Sequence, residues 1–313
     1  MAKVPIFSVI IPTYNRANLL MIAVKSVLQQ KFKDFELIIV DDGSDDGTKE
    51  AITSLDDHRI RYYFQLNQER SSARNKGMEL ANGKYICFLD DDDYYLTNHL
   101  ELFYAELAQN NFPKIILRTG FIQMEGEQEV ARSDSFSLNM GMTPVQFCAE
   151  YFCGVVTLCI PKLFLLNHNF PKKFRHWQDT HLILRLLALY PFKQLSAYTY
   201  IYVQHPNMGS RSMYLFSDSA QRIQSNVDAM IHLFDHYGEL LNPLLPDQSL
   251  NFMVSKKYLT HANGSLVNGN LKLAVSLFMK SVRYNKGFWF KFLYFKFLFK
   301  VPVKLLVDWP KAP

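Results

Sequence analysis

Short apolar runs, each closed by a polar turn, divide the first hundred residues. Phe7-Ser8-Val9-Ile10-Ile11 is closed by Pro12, Phe35-Glu36-Leu37-Ile38-Ile39-Val40 by Asp41-Asp42-Gly43-Ser44, and Tyr85-Ile86-Cys87-Phe88-Leu89 by the four aspartates Asp90 to Asp93. Apolar runs of this length, rich in β-branched and aromatic residues, predict buried strands. Between the first two, Leu19, Leu20, Ala23, Val24, Val27 and Leu28 recur at helical spacing, a strand, helix, strand unit of the length a parallel crossover requires. A further strand is predicted near Arg61 to Phe64 and a helix from about Ser72 to Leu80. Such alternation predicts a doubly wound α/β sheet. Ligands of these sheets lie beyond the carboxyl ends of the strands, where Thr13, Tyr14, Asp41, Asp42 and the aspartate run would converge.

Carboxylates this close raise each other's pKa and repel, so the run calls for a divalent metal, a basic ligand or open water. A solvated loop is the plain alternative. No G-x-G-x-x-G follows the first strand and no G-x-x-x-x-G-K-[ST] occurs, which excludes dinucleotide and P-loop sites. Asp42-Gly43-Ser44-Asp45-Asp46-Gly47 starts like a calcium loop, but the position needing a bidentate glutamate is Thr53, which excludes an EF-hand. A phosphate ligand among bare carboxylates requires Mg²⁺ or Mn²⁺ between them.

Four segments in order carry a resemblance: Ser8-Val9-Ile10-Ile11-Pro12-Thr13-Tyr14-Asn15-Arg16, Val40-Asp41-Asp42-Gly43-Ser44 with Asp46-Gly47-Thr48, Ala73-Arg74-Asn75-Lys76-Gly77, and Phe88-Leu89-Asp90-Asp91-Asp92-Asp93. Together they resemble the GT-A fold nucleotide-sugar transferases of glycosyltransferase family 2, closely over residues 5 to about 100 and more weakly to about 210. The resemblance implies a mostly parallel Rossmann-like sheet with flanking helices. It implies nucleotide-sugar contacts at Pro12, Tyr14, Asp42, Arg70, Arg74, Asp90 and Asp91, with Tyr14 and Asp42 on the base. Asp92 matches the metal-coordinating carboxylate of the D-x-D-like element, in a register open by one residue, and the implied cofactor is Mn²⁺ or Mg²⁺. For Arg70 and Arg74 the plain alternative is a surface ion pair.

Inverting transfer also needs a base for the acceptor hydroxyl. The resemblance points to Asp179 in His176-Trp177-Gln178-Asp179-Thr180-His181, where relatives carry a Glu-Asp pair and this chain has Gln178. A helix cap is the structural alternative for Asp179. His205, in Val203-Gln204-His205-Pro206, resembles a histidine near the diphosphate that can join the metal, with a backbone-bonded loop histidine as the alternative.

The length of 313 residues suits one large α/β domain with an appendage. The expected division is a transferase domain over 1–215, with a donor half 1–100 and an acceptor half 101–215, followed by a helical region over 216–313. Cys87, Cys148, Cys153 and Cys159 lack zinc-site spacing and read as reduced thiols, consistent with a cytoplasmic protein. Apolar stripes predict helices from about Ser219 to Asn285, with turns at Ala262-Asn263-Gly264 and Asn268-Gly269-Asn270. The segment from His261 to Tyr284 faintly resembles one tetratricopeptide helix pair.

Charge then changes the picture. Residues 283–313 carry seven Lys or Arg and one acid, Asp308, whereas the whole chain is +5, so the basic excess lies in the tail. Phe288 to Lys300 holds eight aromatics in thirteen residues, interrupted by lysines too often for a transmembrane span. This pattern suits a segment lying on an anionic bilayer surface or, alternatively, a packed helix with snorkelling lysines; it does not suit nucleic acid.

The expectation is therefore an inverting, metal-dependent glycosyltransferase, peripheral on the cytoplasmic face of the membrane. It would use a nucleotide-sugar donor, a UDP-sugar by resemblance, and a glycan or lipid-linked glycan acceptor in cell-surface polysaccharide synthesis. The alternative is a catalytically idle nucleotide-binding scaffold docked at the membrane, to which the Gln178 departure points. A nucleotidyltransferase would want a glycine-rich basic signature where Pro12-Thr13-Tyr14-Asn15 stands.

Overall fold

The computed structural model describes residues 4–133, 141–151, 153–205, 220–245 and 249–284, which fall into two compact units meeting in sequence at Gln204/His205. The first contains the sheet. In chain order its elements are β1 (Phe7–Thr13), α1 (Ala17–Leu28), β2 (Phe35–Asp41), α2 (Thr48–Thr53), β3 (Ile60–Phe64), α3 (Glu69–Leu80), β4 (Tyr85–Phe88), β5 (Tyr94–Tyr95) and α4 (His99–Gln109). There follow β6 (Ile116–Glu125), β7 (Gln128–Arg132), α5 (Pro144–Glu150), β8 (Leu158–Pro161), α6 (Lys162–Leu165), α7 (Gln178–Leu189) and β9 (Phe192–Gln204).

The strand order is β3-β2-β1-β4-β8-β6-β9-β5, with β7 paired to β6. β3, β2, β1 and β4 run parallel, the doubly wound half that the apolar runs predict. β1 and β2 are buried along their whole length because helices cover both faces, which is why they read as unbroken apolar runs. Beyond β4 the sheet is mixed: β8 is antiparallel to both β4 and β6, and β9 is parallel to β6.

One buried acid ties the start of this sheet together. Glu36 accepts hydrogen bonds from Ser8 Oγ at 2.6 Å, Arg61 Nη1 at 2.6 Å and the backbone N–H of Asn82. Burial pushes its pKa up, but these donors outweigh burial and hold it below the usual carboxylate range.

α3 is the element that positions the site. It starts at Glu69, three residues earlier than the predicted Ser72, because the polar stretch that precedes its apolar face is still helical. Gly77 lies so close to β1 that a Cβ there would sit 2.3 Å from Ile10 Cγ2. Asn75 brackets the backbone of Phe170, donating from Nδ2 to its carbonyl and accepting from its N–H, both at 2.9 Å. Helix α3 is thereby seated on β1 and tied to the loop between α6 and α7.

Among the described residues, the second unit holds the helices Ala220–Leu241, which kinks at Tyr237, Ser249–Val267 and Leu271–Tyr284. The predicted turn at Asn268-Gly269 is present, with Gly269 at φ 75°. That at Ala262-Asn263-Gly264 is not: these residues continue the helix Ser249–Val267, where Ala262 is buried and Asn263 Nδ2 donates to the Leu259 carbonyl. Burial of one helix face overrides the Asn-Gly turn preference. The basic aromatic tail from residue 285 onward lies outside the described residues. Among the described residues, no helix is long and apolar enough to cross a membrane.

Candidate functional site

β1 and β4 deliver their carboxyl ends side by side. Asp91, 6% exposed, accepts from Thr13 Oγ1 at 2.8 Å and from Arg16 Nη1 at 2.9 Å, and Arg16 Nη1 also lies 2.9 Å from Asp92. Asp91 therefore faces inward, holding the end of β1 and the Arg16 side chain, rather than pointing to open space. Burial pushes its pKa up to about 6; Arg16 opposes that rise and Asp92 adds to it.

Asp90 and Asp179 share one cation. Arg74 is fully buried and forks between them, with Nη2 2.6 Å from Asp90 and Nη1 2.5 Å from Asp179, over the Phe170 ring at 5.3 Å. A surface ion pair, the plain alternative for Arg74, is thus excluded. Burial raises the Asp90 pKa, and Arg74 with Arg70 more than reverses it. Asp179 goes the other way: burial, assisted by the Asp90 charge, raises its pKa against the pull of Arg74. Arg70 is exposed, and its charge acts on Asp90, Asp179 and Arg16.

Asp179 is the second residue of α7 and no side chain caps that helix. Trp177 precedes it at φ 66°, a left-handed conformation uncommon for a bulky residue and the sort of backbone strain found at functional sites. The carboxylate goes to Arg74, so the capping alternative does not describe it.

On the other side of β1, Asp42 is 4% exposed and its Oδ1 accepts from Gln65 Nε2 at 2.6 Å and the Gln68 N–H at 3.0 Å. Asp41 is structural, accepting from the Ser44 N–H and the Tyr62 hydroxyl. Tyr14 stands 47% exposed at the end of β1, whereas Pro12 is buried within the strand opposite Val40. His205 follows β9 directly, at the start of the second unit.

Two participants have no sequence signal strong enough to single them out. Arg16 belongs to a motif but shows its partners only in three dimensions. Asp93, 2% exposed, accepts from the Tyr200 hydroxyl and from the Val203 N–H at 2.8 Å, tying the aspartate run to β9. Burial, with Asp92 and Asp90 nearby, holds its pKa well above the usual range.

Among the described residues, one acidic group is close enough to hold a cation: Asp90, Asp92 and Asp93 each offer an oxygen, all within 4.8 Å of one another. An all-oxygen donor set fits Mg²⁺ or Mn²⁺ rather than zinc. All three are engaged by the protein, Asp90 by Arg74, Asp92 by Arg16 and Asp93 by Tyr200 and Val203, but the Asp90 and Asp92 side chains are about a quarter exposed whereas Asp93 is buried, so Asp90 and Asp92 are the more accessible ligands.

The model of the glycosyl transferase family 2 matches residues 8–168, the stretch that carries β1 through α6 and every member of the aspartate cluster. The chain belongs to glycosyl transferase family 2. A relative of this family 2 chain, the GalNAc(5)-diNAcBac-PP-undecaprenol beta-1,3-glucosyltransferase of Campylobacter jejuni, is 33% identical over 181 residues, 54% of this chain and 56% of its own. The chain spans about a quarter of the length of a matching Rickettsia bellii glycosyltransferase. Among solved structures, Staphylococcus aureus TarS 1–349 with UDP-GlcNAc superposes with a TM-score of 0.67 at 17% identity, over 96% of this chain and 82% of TarS. The mannosyltransferase PcManGT of Pyrobaculum calidifontis, solved with GDP-Man and Mn²⁺, gives 0.56 at 17% identity, over 98% and 88%. The fold of this family 2 chain is GT-A: a mostly parallel sheet flanked by helices, with C-terminal helices.

Proposed function

We propose that this family 2 chain is an inverting glycosyltransferase that moves a sugar from a nucleotide-diphosphate sugar, a UDP-sugar, to an acceptor hydroxyl. The single observation that carries the reading is the Arg74 fork, which sets Asp179 beside the aspartate run at the carboxyl end of the sheet. In this reading Tyr14 and Asp42 take the base, with Arg70 and Arg16 beside the donor phosphates. Arg74 is buried, so it acts by holding Asp90 and Asp179 rather than by touching the donor. Asp92 and Asp90 would hold a divalent cation. Such a cation, when bound, neutralises charge that develops on the leaving diphosphate.

Asp179 then accepts the proton of the acceptor hydroxyl as the oxygen attacks the anomeric carbon. A raised pKa makes a carboxylate a better base, and burial with Asp90 supplies that direction here. Gln178, 5% exposed, adds no charge to the pair, so burial, opposed by Arg74 and assisted by Asp90, sets the basicity of Asp179.

The C. jejuni relative, named for an undecaprenol-diphosphate-linked acceptor, supports a polyprenyl-linked glycan acceptor. The basic aromatic sequence of 283–313 supports attachment at a membrane surface. The deciding experiment is transfer and donor binding in an Asp179→Asn variant, with UDP-sugars and polyprenyl-diphosphate saccharides. Loss of turnover with donor affinity retained supports the enzyme; turnover unchanged removes Asp179 as the base. Nucleotide binding without turnover in the native chain leaves the scaffold alternative.

A further inference from the structure

Helix α3 presents a second face. Arg74 turns to the carboxylates, while Ser72, Asn75, Lys76 and Glu79, one stripe at helical spacing, line a cavity of about 560 Å³ that borders the Asp42 side of the site through Gln65 and Gln68. The far wall comes from α6 and the loop after it, and the size is that of a small-ligand site.

Its chemistry is divided. Met78, Ile86 and Leu165 are buried side chains that give it an apolar floor, and Leu166 extends that surface to the rim, 62% exposed. Lys76, Lys162 and Lys172 surround it, and Glu79 is the one acid among the lining residues. Both Glu79 oxygens lie 3.0 Å from Lys76 Nζ, so this acid is matched and the remaining excess is positive. Lys162 Nζ donates to the Ala81 carbonyl at 2.6 Å, which fixes the ammonium at the rim with two donors to spare. Lys172 is exposed.

We propose that this cavity is a second ligand site, distinct from the aspartate cluster, for a phosphate-bearing molecule with an apolar body. The phosphate lies among Lys76, Lys162 and Lys172, and the body lies on Met78, Ile86 and Leu165. Two sources share that chemistry: a prenyl phosphate, and a sugar phosphate whose C–H face covers the floor.

The test is calorimetric titration of the full chain, free of nucleotide, with geranyl phosphate and glucose 6-phosphate, and with geraniol and glucose as phosphate-free counterparts. At least one phosphate is expected to bind, with its counterpart about tenfold or more weaker, the effect of losing a charge-assisted contact. Lys162→Met with Lys172→Met should weaken that binding about tenfold or more, whereas Lys25→Met, on the exposed face of α1, should not change it. Lys172→Met alone, on an exposed side chain, gives the same reading if the double variant fails to fold. Binding of geranyl phosphate alone assigns the prenyl source, and binding of glucose 6-phosphate alone assigns the sugar source. Absence of binding by either phosphate, or equal binding by the native and lysine variants, overturns the proposal. None of these ligands carries a nucleotide, so its failure leaves the glycosyl transfer reading standing.

Discussion

Arg74 and Asp179 meet at 2.5 Å across 105 residues of sequence, and the same guanidinium holds Asp90 at 2.6 Å. A planar fork can serve two carboxylates at once where an ammonium cannot. Arg74→Lys should therefore lower the rate of transfer far more than it lowers donor affinity, because Asp179 loses its orientation. Arg74→Met should cost about 3–5 kcal/mol of stability, the range for removing one partner from a buried ion pair. Steady-state kinetics and urea unfolding of the two variants check this; native turnover in Arg74→Lys would refute the positioning role.

Asp93 should tolerate loss of charge but not loss of its oxygens. Asparagine keeps an acceptor for the Val203 N–H and turns a donor toward the Tyr200 hydroxyl. Since the folded state already disfavours ionised Asp93, Asp93→Asn should match or exceed the native metal-free stability at pH 7. Asp93→Ala leaves buried groups unpaired and should cost about 1–3 kcal/mol. Thermal unfolding at pH 7 separates the two; equal loss in both would show that the charge itself is required.

His99 should make the fold acid-sensitive. It is buried, bonded through Nδ1 to Thr199 Oγ1 at 2.7 Å and stacked on Tyr95, and burial lowers its pKa from 6.5 to about 3. Above about pH 6.5 both folded and unfolded chains carry it neutral. Below that, the unfolded chain gains a proton that the folded chain refuses until about pH 3, so stability should fall by ~1.4 kcal/mol per pH unit. In His99→Phe this increment of slope between pH 6 and 4 should disappear. An unchanged slope would mean that other groups dominate acid unfolding.

Gly77 offers a steric test of how α3 is seated. Alanine favours a helix by ~1 kcal/mol over glycine, yet its Cβ would lie 2.3 Å from Ile10 Cγ2. The clash should win, with a net loss of about 1–3 kcal/mol, because β1 is buried on both faces and cannot retreat. Because α3 also carries Arg74, transfer should fall with stability. A stabilised Gly77→Ala would show that the helix moves freely on the sheet.

The parts of this architecture legible in the sequence are those set by local pattern. β1, β2 and β4 are continuous apolar runs because both faces are covered, and each stops at its polar turn, so the convergence of Thr13, Asp42 and the aspartate run follows from parallel topology alone. The mixed half was not legible. β8 has four residues and β5 two, too short for a period to show, and the place of β8 between β4 and β6 depends on contacts distant in sequence. The same reason hides the inward turn of Asp91 onto Arg16 and the bond from Tyr200 to Asp93, 107 residues apart. Motif residues announce that they matter; their rotamers are decided by partners that the motif does not contain.

A metal-dependent donor site at the aspartate run is open to test by titration calorimetry of UDP, GDP and dTDP. Each is titrated with Mn²⁺ and again with EDTA, into the native chain and into Asp92→Ala. One nucleotide, UDP, should bind with Mn²⁺, lose about tenfold or more in affinity with EDTA, and fail to recover with Mn²⁺ in the variant. Binding of none under any condition, or equal binding by the native chain and Asp92→Ala, would contradict it.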